Sequence, residues 1–152
     1  MPYERERNCC RPKGRCCMRK GRPPHVTLRR AEAIARKRGD VIPVPGGRCD
    51  AFDLIICEEF RTVFVRVRCT LSRFTWPLEV LQQYRHDIAR VCRLPLTAVV
   101  AREFWLRMPD GRWQFFLVRC DGITEIGPDG KYWPKAELPV EAGVRPEERE
   151  GE

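Results

Sequence analysis

Two hydrophobic periods alternate along the middle of this chain. Leu28, Ala31, Ile34 and Ala35 return at the three- and four-residue spacing of a buried helical stripe. Thr27 is placed to cap that helix, and Gly39 fits just past its end. Residues 40–44 then read as a short strand stopped by Pro45-Gly46-Gly47. Residues 52–57 and 62–68 are strand-like and are joined by Glu58-Glu59-Phe60-Arg61, the pattern of a hairpin. Helical spacing returns with Leu78, Leu81, Tyr84, Ile88 and Val91, which predicts one helix over about residues 77–92, ended by Leu94-Pro95. Residues 97–101 form an apolar strand, and 104–108 and 113–120 flank the turn sequence Pro109-Asp110-Gly111-Arg112.

The resulting order, α-β-β-β-α-β-β-β, predicts an α/β domain with a central mixed β-sheet flanked by helices. That domain spans residues 25–126. A basic, cysteine-rich arm (1–24) precedes it, and a Pro-, Gly- and Glu-rich tail (127–152) follows. A hydrophobic content of 43% over 152 residues suits one core with extensions. No apolar run approaches the roughly 18–20 residues of a membrane span. The first residues carry no apolar signal core, so the expected setting is the cytoplasm, with no membrane partner.

Charge sharpens the picture. Residues 1–38 hold 13 Lys/Arg against 3 Glu, residues 39–140 hold 14 against 13 acidic residues, and residues 141–152 hold 2 against 5. A basic head on a nearly neutral domain points to a phosphate backbone as partner. Arg15, Arg19 and Lys20 in the arm, and Arg29 and Arg30 on the first helix, are the candidate contacts. The doublets Cys9-Cys10 and Cys16-Cys17 offer four thiolates that could hold zinc, although adjacent cysteines depart from the C-x2-C spacing of zinc ribbons. Cys49, Cys57, Cys69, Cys92 and Cys120 are spaced singly and read as small apolar residues. Trp76, Trp105 and Trp113 fall where packing at the core or its rim accounts for them.

Arg29-Arg30-Ala31-Glu32, residues 39–47, Asp53-Leu54-Ile55 and Val65-Arg66-Val67-Arg68-Cys69-Thr70 occur in an order that resembles the archaeal Holliday junction resolvases of the PD-(D/E)XK, or restriction endonuclease-like, superfamily. The likeness covers about residues 27–120. It implies a nuclease-type fold, DNA as partner, a symmetric homodimer and a Mg²⁺ site. That site would use Glu32, Asp53 and a Glu-x-Lys on the next strand. Glu32 and Asp53 match the pattern, whereas Arg66 stands in the place of the glutamate, Arg68 in that of the lysine, and Phe52 in that of the proline before the aspartate.

Strand geometry says what those exchanges do. Arg66 and Arg68 share one face while Val63, Val65 and Val67 share the other. Pairing Cys57 with Thr62 sets Asp53 opposite Arg66. Two carboxylates there would hold Mg²⁺, but a guanidinium cannot ligate a cation and is expected to pair with Asp53 instead. The expected function is therefore DNA binding with impaired or absent cleavage, with Arg66 and Arg68 among the phosphate contacts. One alternative is an active Mg²⁺-dependent, structure-specific endonuclease using Asp53, Glu32 and a relocated carboxylate, Glu79. The other is a non-catalytic protein-interaction module.

Overall fold

Strict alternation along one strand organises the molecule. In the computed structural model, which describes residues 24–44 and 51–132, strand β3 (Thr62–Cys69) buries Val63, Val65 and Val67 completely on one face. It lies inside a six-stranded mixed sheet made with β1 (Asp40–Pro43), β2 (Leu54–Cys57), β4 (Val100–Arg107), β5 (Trp113–Arg119) and β6 (Gly122–Ile126). The strands stand side by side in chain order. Every neighbouring pair is antiparallel except β3 and β4, which run parallel from Thr62↔Val100 to Cys69↔Arg107. Parallel neighbours need a long crossover, and helices α2 (Pro77–Gln83) and α3 (Arg85–Val91) supply it.

Helix α1 (His25–Ala35) covers the valine face with Leu28, Ala31 and Ala35, packed with Leu54, Ile56, Trp105 and Phe115. Helices α2 and α3 cover the opposite face with Val80, Tyr84, Ile88 and Val91, against Phe104, Leu106, Phe116 and Val118. The α/β architecture and the register of the β2–β3 hairpin, Cys57 on Thr62 and Leu54 on Val65, agree with the reading of the sequence.

Several local expectations are corrected. The predicted second helix is two helices, broken at Tyr84 (φ −109°, ψ 22°). The tyrosine hydroxyl donates to the carbonyl of Cys69 at 3.2 Å and its ring meets Phe104, so a tie to the sheet overrides helix continuity. Residues 97–101 and 104–108 are not two strands. They contribute to the single strand β4, and the sixth strand comes from the Gly122–Ile126 segment. Thr27 is not a cap but a buried residue inside α1, with its hydroxyl 3.1 Å from Cys69 Sγ and accepting from Arg107 Nη1 at 3.3 Å. Ordered structure also passes residue 126, because Ile126 pairs with Tyr132 beyond a turn at Gly127–Gly130. Among the described residues no helix is long and apolar enough to cross a membrane.

The valine face also buries charge. Arg38 donates from Nη1 and Nη2 to both oxygens of Glu103 at 2.8 Å, and from Nε to Glu58 at 2.7 Å. Glu103, with no exposed surface, also accepts from Trp105 Nε1 at 2.8 Å. Burial raises the Glu58 carboxyl, but hydrogen bonds from Arg61 and Arg38 more than reverse this and hold it below the usual value. Gly39 lets the chain turn from α1 into β1 against the Cys57 carbonyl, since a Cβ on Gly39 would lie 2.2 Å from that oxygen. Gly39→Ala is expected to lower stability by about 1–3 kcal/mol, read as a lower urea midpoint at unchanged slope.

Candidate functional site

The cluster around Asp53 is built by two strands and one helix. Asp53 precedes β2, and its backbone N–H donates to the carbonyl of Val65 at 2.8 Å, which holds it opposite Arg66. Its Oδ2 accepts the Val67 N–H at 2.8 Å. Arg66 Nη1 lies 3.6 Å from Asp53 Oδ1, and Arg68 Nη1 lies 3.6 Å from Oδ2. The expected pairing of Arg66 with Asp53 is thus present, but it is the looser of two.

The closer partner is Asp87 on α3, which the sequence reading passed over. Arg68 forms a fork on it, Nη2 to Oδ1 at 2.6 Å and Nε to Oδ2 at 3.1 Å. Arg66 adds Nη2 at 3.1 Å and Nε at 3.3 Å, both to Oδ1. The signal was available. At 100° per residue Asp87 falls on the same helical face as Val80, Tyr84 and Val91, so a carboxylate interrupts an apolar stripe that faces two arginines.

The cluster is enclosed as well as paired. The side chains of Arg66 and Arg68 are 6% and 11% exposed, and those of Asp53 and Asp87 are 10% and 20% exposed. Two guanidiniums and two carboxylates cancel in formal charge. Burial alone would raise the Asp87 carboxyl, but the Arg68 hydrogen bonds and the charges of both arginines hold it below the usual aspartate range. Mg²⁺ does not fit this donor set. The Asp87 oxygens already accept arginine donors, one Asp53 oxygen accepts a backbone N–H, and an added cation would meet two fixed positive charges. Among the described residues no three His, Cys, Asp or Glu side chains come together as a metal site.

The other predicted residues are placed apart from this centre. Glu32 pairs with Arg36 on its own helix at 3.9 Å. Glu79 does not turn toward Asp53. Its Oε2 accepts the backbone N–H groups of Thr75 and Trp76 at 3.0 and 3.3 Å, closing the start of α2. Arg66 and Arg68, expected to touch phosphates, turn their forks to Asp87 instead. Arg15, Arg19, Lys20 and the candidate zinc ligands Cys9, Cys10, Cys16 and Cys17 lie outside the described residues. Trp76, expected to pack, is 66% exposed, whereas Trp105 is fully buried.

Arg29 and Arg30 do face solvent, and they have company. Val26, Arg29, Arg30, Ala33, Arg36 and Lys37 are all exposed, on one side of α1 and the turn after it. Arg29, Arg30 and Lys37 have no carboxylate partner among the described residues. Arg36 and Lys37 were missed as candidates because their membership of this face depends on where the helix turns its buried side.

The class that fold and site define is a mixed α/β domain with a neutral, buried Arg–Asp cluster on one face of its sheet and a basic helix on the other. Comparison with models of protein families, with curated proteins and with solved structures finds no match.

The lowered Asp87 carboxyl has a pH consequence. Its folded value lies below its unfolded one, so the stabilisation is complete above about pH 4 and is lost as pH falls through the folded value. Asp87→Asn is expected to cost about 3 kcal/mol at pH 7, since it leaves two buried guanidiniums short of a counter-charge. The gap between wild type and variant should close in acid, as followed by urea unfolding at a series of pH values.

Proposed function

We propose that the protein binds nucleic acid, DNA foremost, through the outward face of α1, on a restriction endonuclease-like frame whose cleavage centre has been replaced by ion pairs. The observation that carries this reading is the shared exposure of Arg29, Arg30, Arg36 and Lys37 on one side of one helix. Arg29, Arg30 and Lys37, which have no carboxylate partner among the described residues, gain most from a polyanion, because binding releases the counterions condensed on its phosphates. Arginine adds forked donors that match phosphate oxygens.

The likeness to the Holliday junction resolvase branch of the PD-(D/E)XK superfamily supplies the frame, in which Asp53 holds the place of a metal-binding aspartate. Arg66 and Arg68 occupy the places of its partners, and both are engaged by Asp87. A nuclease centre must gather negative ligands around a cation, whereas this one is neutral before any ion arrives. The charge needed to hold a phosphate backbone is thereby separated from the place where a backbone would be cut. A second reading, a protein-interaction module, is favoured by Leu71, Trp76 and Leu78, which are 66%, 66% and 61% exposed close together in the chain.

Fluorescence anisotropy with four-way and linear DNA tests the first reading. Binding should weaken steeply with salt, and Arg29→Ala with Arg30→Ala should reduce the slope of log affinity against log salt by about 1.8, the worth of two phosphate contacts. Chelator and Asp53→Asn should leave affinity unchanged. Mg²⁺ or Mn²⁺ should produce no cleavage of branched DNA. Cleavage abolished by Asp53→Asn would restore the enzyme reading, and absence of binding to both DNAs would leave the apolar surface as the functional one.

A further inference from the structure

Arg102 differs from the other deeply buried arginines because no carboxylate among the described residues meets it. It is 1% exposed on β4. Its Nη1 donates to the carbonyls of Cys92 and Leu94 at 2.8 and 2.9 Å, and its Nε donates to the carbonyl of Val118 at 3.3 Å. Its Nη2 is directed at Cys120 Sγ, 3.7 Å away. Carbonyl dipoles near a helix C-terminus offset part of a cation's charge, but they carry no formal charge themselves. Among the described residues, the ionisable group in reach of this guanidinium is therefore a sulfur.

A second cysteine borders the same cavity as the first. Cys92 caps the end of α3, and its Sγ is 3.6 Å from the carbonyl oxygen of Arg119, the residue joined to Cys120. Both cysteines line one cavity of about 250 Å³ between the helices and the β5–β6 turn. Cys120 is exposed and Cys92 half-buried, so Cys120 is the more open of the two to solvent. An accessible thiol next to a fixed cation, with another thiol lining the same cavity, is the arrangement in which cysteines react reversibly with oxidants. Cys120, read from its spacing as a small apolar residue, is thus exposed and not a packed one.

We propose that Cys120 and Cys92 form a redox-reactive thiol pair whose oxidant is a hydroperoxide, with Arg102 as the positive charge beside the reacting sulfur. The thiolate sulfur of Cys120 attacks the peroxide O–O bond. That bond breaks, the sulfur is oxidised by two electrons to a sulfenic acid, and the departing oxygen takes a proton and leaves as water or alcohol. The sulfur of Cys92 then attacks the sulfenic sulfur. An S–S bond forms as the S–O bond breaks, and the hydroxide released takes the Cys92 proton to leave as water. Negative charge on Cys120, as thiolate or sulfenate, faces Arg102 Nη2 throughout. The pair lies away from the outward face of α1 and does not rest on the nucleic-acid reading.

The test treats the full chain with hydrogen peroxide and maps its cysteines by peptide mass spectrometry. The expected product is a linked peptide pair containing Cys92 and Cys120, lighter than the reduced pair by two hydrogen atoms. In Cys92→Ser, a sulfenic-acid trap such as dimedone should label Cys120 roughly tenfold faster than Cys57 and Cys69, an excess that disappears in urea. Arg102→Lys, which keeps the charge, should retain part of that excess, and a folded Arg102→Gln should lose it. Absence of the linked pair, or labelling of Cys120 no faster in the folded protein than in urea, overturns the proposal without recourse to any Arg102 variant.

Discussion

Asp87 is the interaction on which the face under α2 and α3 depends. Arg66 and Arg68 are two residues apart on one strand, so their attachment points lie about 7 Å apart on the same side. Like charges at that distance repel by about 2 kcal/mol even at an intermediate effective dielectric. Covering them with a helix adds desolvation, which alone would favour leaving both arginines in water. A carboxylate brought in from the covering helix reverses the balance, because it accepts hydrogen bonds from both guanidiniums at once. Asp53 completes neutrality from the other side. The bend at Tyr84 belongs to the same arrangement, since α3, the piece that carries Asp87, starts immediately after it.

The same requirement recurs across the sheet and helps to fix its register. Strand β4 places Arg102 and Glu103 side by side, and alternation sends them to opposite faces. Glu103 meets Arg38 beneath α1, while Arg102 meets the carbonyls after α3. A slip of β4 by one residue would send Arg102 to the face of Arg38 and Glu103 to the face of α2 and α3, each away from its partner. Apolar neighbours such as Phe104 and Leu106 tolerate small shifts, whereas a charge left without its partner does not. The core is therefore specified by position of charge as well as by volume.

That is also the reason for the pattern of what was legible in advance. The strand period disclosed the β2–β3 hairpin, its register and the opposition of Asp53 to Arg66, because those follow from spacing within thirty residues of chain. The partners that decide the chemistry come from farther off. Asp87 reaches β3 across the crossover, and Glu103 reaches Arg38 across 65 residues. Each left a trace, a carboxylate set among apolar residues of a face that should be dry, but a trace of this kind names no partner. Two strand boundaries failed for a simpler reason. Polar Arg102 and Glu103 look like a loop between apolar runs until their buried partners are known. Trp76 went the other way, an apolar residue read as packed that the start of α2 leaves in solvent.

Placing Arg66 and Arg68 in a frame of this outline changes more than two side chains. A centre that binds a divalent cation holds surplus negative charge, and it is stable in the metal-free protein only if water reaches it. A centre of two aspartates and two arginines needs neither water nor metal, so it can close, and closure in turn strengthens its hydrogen bonds through the lower local dielectric. A glutamate at position 66 would not by itself make this centre a cation site. Arg68 would still fork onto Asp87, and α3 would still cover the site. On the proposed nuclease-frame reading, the arginines in the place of metal ligands and the burial of the cluster support each other, and the outward arginines of α1 are the proposed phosphate contacts.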